Sequence, residues 1–454
     1  MISFLEVVKR ALTGPLCTER EFDLKIFNSK LNEVVEEYGI KYDPENPVPS
    51  DDTLADEVFD AALKFYSEIG TYCLDTHRII RFDEGEIKEA IRYAKNSVKL
   101  GEGKEEKEFL SRKPDSSIPP WCSVGGCGVF LSSEELFLRL TEALGSIPLA
   151  DSISTNCLIE VEGQKILPKS PLEVIGAIRT VLLAKEALRR AGRPGLPVVN
   201  GAATAISDVG KISGGAFTLQ KSDAYEVCSI AEMKVDFGML NEVAYALNSG
   251  NKIIAACGPL LGGYCGGPEG LAVATTAYTF QGLLVQKGDV QHPYPVHYRY
   301  ITNSGRELLW ANSLSYQAIS RNVEIPLLCI PYAAAGPATE MIFYEIASDV
   351  SSIISSGGSI EAVGLRGTEV DYSCHLEPLF ATEVAKAVTG MTRESVNEIV
   401  KELLPKYEER IPKPPKGKRF QECYKKGTIE PTAEYLRLYK RVRKEISEYG
   451  IPLE

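Results

Sequence analysis

Residues 200 to 213, NGAATAISDVGKIS, are small, polar and glycine-punctuated, and they follow the short apolar run PVV. A stretch of this kind at the end of a strand is where a chain exposes groups for binding or chemistry. Asn200 and Asp208 supply an amide and a carboxylate, yet the centre is Val209, which carries no reactive group. Further along, Arg299, Asn303, Tyr332, Arg366 and Glu377 stand near the ends of apolar runs. They add guanidinium groups, a second amide, a phenol and a second carboxylate. Asp208 reads either as a carboxylate facing a cation or as an ordinary helix-cap group. Arg299 reads equally as an anion ligand or as half of a buried ion pair. His297, inside PVHYRYI, reads as a proton carrier or a satisfied core histidine.

Metal chemistry is not expected. The 11 cysteines include no CxxC, and there are only 4 histidines, whereas a zinc site needs convergent thiolate or imidazole ligands. GxxxxGK[ST], GxSxG and HExxH are all absent, which removes the signatures of a phosphate loop, a serine elbow and a zincin. GGCG (125–128) and GGYCGG (262–267) are either tight turns or places where backbone approaches a ligand. A net charge of −12 gives no basic footprint for nucleic acid. The lysines of IPKPPKGKRF (411–420) read as a surface crossing. No apolar run approaches the ~20 residues that span a bilayer. An odd cysteine count without a leader-like start leads us to expect reduced thiols in a cytoplasmic protein.

The elements that must position these groups change in texture along the 454 residues. Residues 1–115 read as a helical extension. LADEVFDAALKFYSEIG has helical spacing, and DEGEIKEAIRYAKNSVKLG is expected to run as one helix up to Gly101. Residues 116–405 alternate short apolar runs with helical stretches. The expected strands are 121–125, 151–158, 197–204, 235–240, 252–257, 295–301, 325–330 and 360–365. The clearest helix is SPLEVIGAIRTVLLAKEALRRAG, with Pro171 at its start and Gly192 at its end. Alternation of this kind argues for an α/β fold with a parallel sheet, and the strand number matches a (β/α)8 TIM-type barrel of ~250 residues. A doubly wound sheet is the alternative that the pattern alone leaves open. Residues 406–454 form a C-terminal extension, packed on the barrel through the amphipathic PTAEYLRLYKRVRKEISEYG.

Several stretches carry a resemblance over almost the whole chain. YCLDTHRIIRFDEGEI (72–87), LPKSPLEV (167–174), AGRPG (191–195), GGYCGG (262–267), PVHYR (295–299), AGPATEM (335–341), GKRFQECY (417–424) and PTAEY (431–435) resemble the monomethylamine methyltransferase family of methanogenic archaea, in the family's order. The resemblance implies a (β/α)8 barrel that moves a methyl group from methylamine to the cobalt of a separate corrinoid protein. No cofactor would be bound tightly by the chain itself, and family members assemble as hexamers. The family's hallmark is a pyrrolysine whose ring imine captures the amine. Matching Ser207, Gly210, Ile212 and Ser213 to its loop puts Val209 where pyrrolysine stands. A glutamate and a glutamine around that ring fall at Ala256 and Ile330, while a neighbouring tyrosine is kept as Tyr332. Glu377 also matches a glutamate of the family.

Valine cannot hold an amine covalently, so the resemblance implies a rebuilt and less polar pocket. A quaternary ammonium leaves as a neutral amine and needs no capture, which makes a quaternary methylated amine the expected donor. Tyr332, Asp208 and Glu377 are the residues expected to act on it. Asn200, Val209, Ala256, Arg299, Asn303, Ile330 and Arg366 are expected to line its pocket. Two other readings are carried forward: a non-catalytic barrel that keeps the corrinoid-protein surface, and a barrel enzyme with a changed reaction.

Overall fold

The computed structural model describes residues 2–126, 128–365 and 370–453. Eight short parallel strands form the barrel: β1 (Cys122–Gly125), β2 (Ser152–Ser154), β3 (Val198–Asn200), β4 (Ala224–Cys228), β5 (Lys252–Cys257), β6 (Val290–Pro293), β7 (Leu328–Cys329) and β8 (Ser359–Glu361). Parallel ladders run β3-β2-β1-β8-β7 and β4-β5-β6. A parallel bridge between Gln291 and Leu327 joins β6 to β7. Between β3 and β4 the described residues form no ladder.

A helix follows each strand: α1 (Glu134–Gly145), α2 (Pro171–Arg190), α3 (Asp208–Thr218), α4 (Phe237–Ser249), α5 (Pro268–Leu284), α6 (Arg306–Asn322), α7 (Glu340–Ser355) and α8 (Leu376–Ala387). The fold is therefore the (β/α)8 barrel. α5 is buried almost all round because the helix Asp52–Ile69 packs over both α5 and α6. The helix Ala433–Ser447 lies on α7.

The bottom of the barrel is closed by an antiparallel hairpin, Ser97–Leu100 with Lys107–Leu110. Its Val98, Leu100 and Phe109 join Trp121, Val199, Ala224, Ile254, Val290 and Leu328 in a separate apolar plug, and Phe109 stacks on Trp121 at 5.1 Å between ring centroids. Side chains two residues further along each strand point the same way. The plug therefore fixes which positions of each strand face the interior. Above the barrel, short parallel pairs extend the walls: Leu260–Leu261 with Val296–His297, Tyr332–Ala333 with Gly364–Leu365, and Phe130–Leu131 with Cys157–Leu158.

Three expectations are corrected. The run 235–240 is not a barrel strand: Asp236 accepts a hydrogen bond from the Met239 N–H and starts α4, and the fourth strand is Ala224–Cys228. The run 295–301 gives only the rim pair Val296–His297, and the sixth strand is Val290–Pro293. The helix expected up to Gly101 ends at Arg92, because Ser97–Leu100 is taken by the plug hairpin. In each case tertiary pairing overrides local pattern.

Candidate functional site

Counting inward from the plug, the next interior positions are Ser123, Ser154, Glu226, Ala256, His292, Ile330 and Glu361. Three of these ionise. His292 Nδ1 lies 3.1 Å from a Glu226 oxygen and 3.2 Å from a Glu361 oxygen. His292 and Glu361 are both 0 % exposed. Among the described residues Glu361 Oε1, the Ser123 hydroxyl beside it and His292 Nε2 have no hydrogen-bond partner. Burial raises the Glu361 carboxyl well above the ordinary range, His292 works against this, and Glu226 adds to it. Burial pulls His292 down, but the facing carboxylates of Glu361 and Glu226 outweigh it and hold the imidazole above its usual value. The floor of the barrel interior is thus a buried acidic group closed around one histidine.

An aromatic wall rises from this floor. The His292 and Tyr294 rings are 5.1 Å apart, and Tyr294 and Tyr332 are 6.2 Å apart. Each tyrosine lies over a glycine of a neighbouring strand end. A Cβ on Gly258 would come within 2.8 Å of the Tyr294 ring, and one on Gly364 would come closer still to the Tyr332 ring. The Tyr332 backbone is fixed by Asn303: its N–H donates to Asn303 Oδ1 at 2.7 Å, and its carbonyl accepts from the Asn303 N–H at 3.1 Å. Asn303 Nδ2 donates to the Ile330 carbonyl at 2.7 Å. Asn303 therefore positions the end of β7 rather than offering its amide to the interior.

The opening loop is held by a residue that the sequence did not single out. Glu173 on α2 is buried and accepts from the N–H groups of Lys169, Ile206 and Ser207 at 2.7, 2.8 and 3.0 Å, and from the Ser207 hydroxyl. Ser207 caps α3. Asp208 accepts from the Val209 N–H at 2.9 Å and from Asn241 Nδ2 at 3.0 Å, a cap-like arrangement at the rim. Val209 is 59 % exposed on that rim. Asn200, at the end of β3, pairs in register with Ser154 and lines a cleft with Lys211 and Glu226 over the unpaired β3–β4 joint. Burial draws the Lys211 ammonium down, but Cys228, Glu242 and Glu226 together hold it above its usual value. Glu242, 3.6 Å away, is raised by burial to about 7.

The structure brings Asn200, Ala256, Ile330 and Tyr332 to the interior or its mouth, puts Asp208 and Val209 on the rim, and leaves the other expected residues elsewhere. Glu377 is buried under the C-terminal extension, where it accepts from the Ala338 N–H at 2.9 Å and the Tyr435 hydroxyl. Arg299 is exposed, its guanidinium 5.7 Å from the centre of the Tyr300 ring. His297 sits on the rim against Tyr298 and Tyr300, kept below its usual value by burial and by Arg299. Arg366 lies outside the described residues.

Comparison with known proteins decides the family: residues 2–451 match the family model described as monomethylamine methyltransferase MtmB. The chain belongs to the monomethylamine methyltransferase family. It is 31% identical to MtmB of Methanosarcina mazei over 445 residues, covering 97% of this chain and 96% of that one. MtmB1 of Methanosarcina barkeri is 31% identical over 447 residues, with the same coverage. The crystal structure of the Methanosarcina barkeri enzyme superposes with a TM-score of 0.94 at 29% identity, covering 99% of this chain and 98% of that one. A structure of a hydroxylamine MtmB complex superposes at 0.95.

Glu226, His292 and Glu361 went unnoticed in the sequence for a definite reason. Placing strands at 235–240 and 295–301 left both AYEVC and VQHP outside the barrel, and Glu361, although inside the expected strand 360–365, had no register to tell that it faces inward. A single ionisable residue at an inward position of an apolar strand (AYEVC, VQHP, SIE) is the signal that would have found all three.

Proposed function

We propose that this chain transfers a methyl group from a methylated amine cation, with quaternary amines the best donors, to cobalt(I) carried by a corrinoid protein, and does so without pyrrolysine. No position of the 454 residues is pyrrolysine, and Val209 is the proposed counterpart of that residue. Cobalt(I) supplies both electrons of the new carbon–cobalt bond, while the carbon–nitrogen pair stays on nitrogen. A quaternary donor therefore departs as a neutral amine and asks no acid of the protein. What remains is alignment and exclusion of water, which can supply several kcal/mol, up to ~7–11 in favourable models.

The observation that carries this reading is the Tyr294–Tyr332 wall standing over a buried pair of carboxylates. Aromatic faces hold a cation at ~0.5–2 kcal/mol each, and the floor supplies compensating charge. Ala256 and Ile330 make the rest of the interior apolar, as a methyl-rich cation requires. Ile206, Val209, Phe237, Tyr264, Tyr298 and Ile301 are exposed on successive loops around the mouth and offer an apolar rim for the corrinoid protein. Ile175, Leu182 and Phe217 on the outer helices support self-association in the same way. The described cysteines are all free thiols, in keeping with a reducing compartment. Tyr332→Ala should weaken donor binding by roughly three- to thirtyfold with the fold intact by circular dichroism; unchanged affinity would remove the aromatic wall from the site.

A further inference from the structure

The floor of the barrel has the features of a site built for an ion. We propose that Glu226, His292 and Glu361 are the protein ligands of a divalent transition-metal ion, contrary to the expectation from the sequence. One ligand-type atom from each residue lies within 4.8 Å of the other two. The imidazole-to-carboxylate separations of 3.1 and 3.2 Å are close to the spacing of adjacent ligands around an ion with bonds of ~2.0–2.2 Å.

Burial supplies a second and independent observation. Glu361 is wholly buried and its Oε1 accepts no hydrogen bond among the described residues. A carboxylate oxygen in that position costs several kcal/mol unless a cation or donor meets it. The basic side chain on this flank, Lys211, is already engaged with Glu242 at 3.6 Å. One imidazole and two carboxylates suit Zn2+, Fe2+ or Mn2+ and leave coordination positions open. Two carboxylates and a neutral imidazole cancel the charge of such an ion, so with the ion bound the cationic donor is held by the aromatic wall and no longer by the charge of the floor.

The existence of the site stands on this geometry alone; its role rests on the methyl-transfer reading. When the methyl carbon bonds to cobalt(I), the leaving heteroatom keeps the electron pair of the broken bond. An ion held by Glu226, His292 and Glu361 with a coordination position open would supply an acceptor for that pair. This extends the donor class to methylated oxygen or sulfur compounds, whose anionic leaving groups need such an acceptor.

The test uses the full chain in the absence of any corrinoid. The protein is stripped with a chelator, dialysed against Zn2+, and assayed for bound zinc by mass spectrometry and for affinity by calorimetry. One equivalent per chain is expected, with Glu361→Gln and His292→Gln each weakening affinity about tenfold or more. Zinc well below one equivalent in the folded wild type, or wild-type affinity in both variants, overturns the site. If a variant does not fold, X-ray absorption on the zinc-loaded wild type decides. One imidazole with oxygen ligands supports the assignment, and sulfur ligation overturns it. Stoichiometric zinc without methyl transfer from any donor would overturn the functional reading and leave the site standing. Methyl transfer by a chain that takes up no zinc would overturn the site alone.

Discussion

Glu361→Gln in the chelator-treated protein isolates the charge that, with Glu226, raises the His292 imidazole above its usual value. The substitution keeps the shape of the side chain and removes its negative charge 3.2 Å from Nδ1. At an effective dielectric constant of about 20, that contact is worth about 5 kcal/mol, or roughly three to four pKa units. Relaxation and the residual field of Glu226 reduce the effect, and a discount of half leaves roughly two units. Burial already works against the imidazolium, so the His292 titration should fall in the variant relative to the wild type. With only 4 histidines in the chain, nitrogen NMR of histidine-labelled protein resolves each ring. A His292 titration that moves by less than half a unit would refute the idea that Glu361 and His292 are electrostatically coupled in the barrel floor.

Three further outcomes are expected. Gly364→Ala drives a Cβ into contact with the Tyr332 ring, so it should weaken donor binding as Tyr332→Ala does and lower stability by about 1–3 kcal/mol; donor affinity equal to wild type would show that the ring is not a binding surface. Glu173→Ala strips the acceptor from Lys169, Ile206 and Ser207 and should cost on the order of 3–5 kcal/mol, with hydrogen-exchange protection lost first at Ile206 and Ser207. His375, lowered by burial to about 4, is neutral in the folded chain and takes up a proton near 6.5 when unfolded. Its contribution is therefore complete above pH 6.5 and falls away between about 6.5 and 4, by roughly 3 kcal/mol in all. Denaturant titrations of wild type and His375→Gln should converge over that window, and parallel pH profiles would contradict the assignment.

The barrel was legible because its strands alternate with strongly periodic helices, and Pro171, Ser207 and Gly192 mark helix ends by chemistry that does not depend on tertiary context. The ends of α4 and β6 were not legible. Asp236 looks like a polar interruption in an apolar strand until its carboxylate is seen capping Met239. PVHYRYI outscores DVQHP as a strand on propensity, yet only the latter finds a partner in the barrel. The site suffered most from these two displacements. Residues chosen for being polar and near strand ends, such as Asn303 and Glu377, turned out to hold backbone and a C-terminal helix in place. The inward charges Glu226 and His292 could be located only once register was fixed by the apolar plug. Val209 shows the same limit: a loop pattern placed it at the mouth, but no pattern tells whether a side chain there enters the barrel or stands on its rim.

The most direct test of the functional account is reduction of a corrinoid protein to cobalt(I), addition of this chain, and presentation of methyl donors one at a time while absorbance reports methyl-cobalt(III). The account predicts conversion with a quaternary methylated amine and none with monomethylamine. Turnover of monomethylamine, or silence with every donor despite measurable binding of the corrinoid protein, would contradict it.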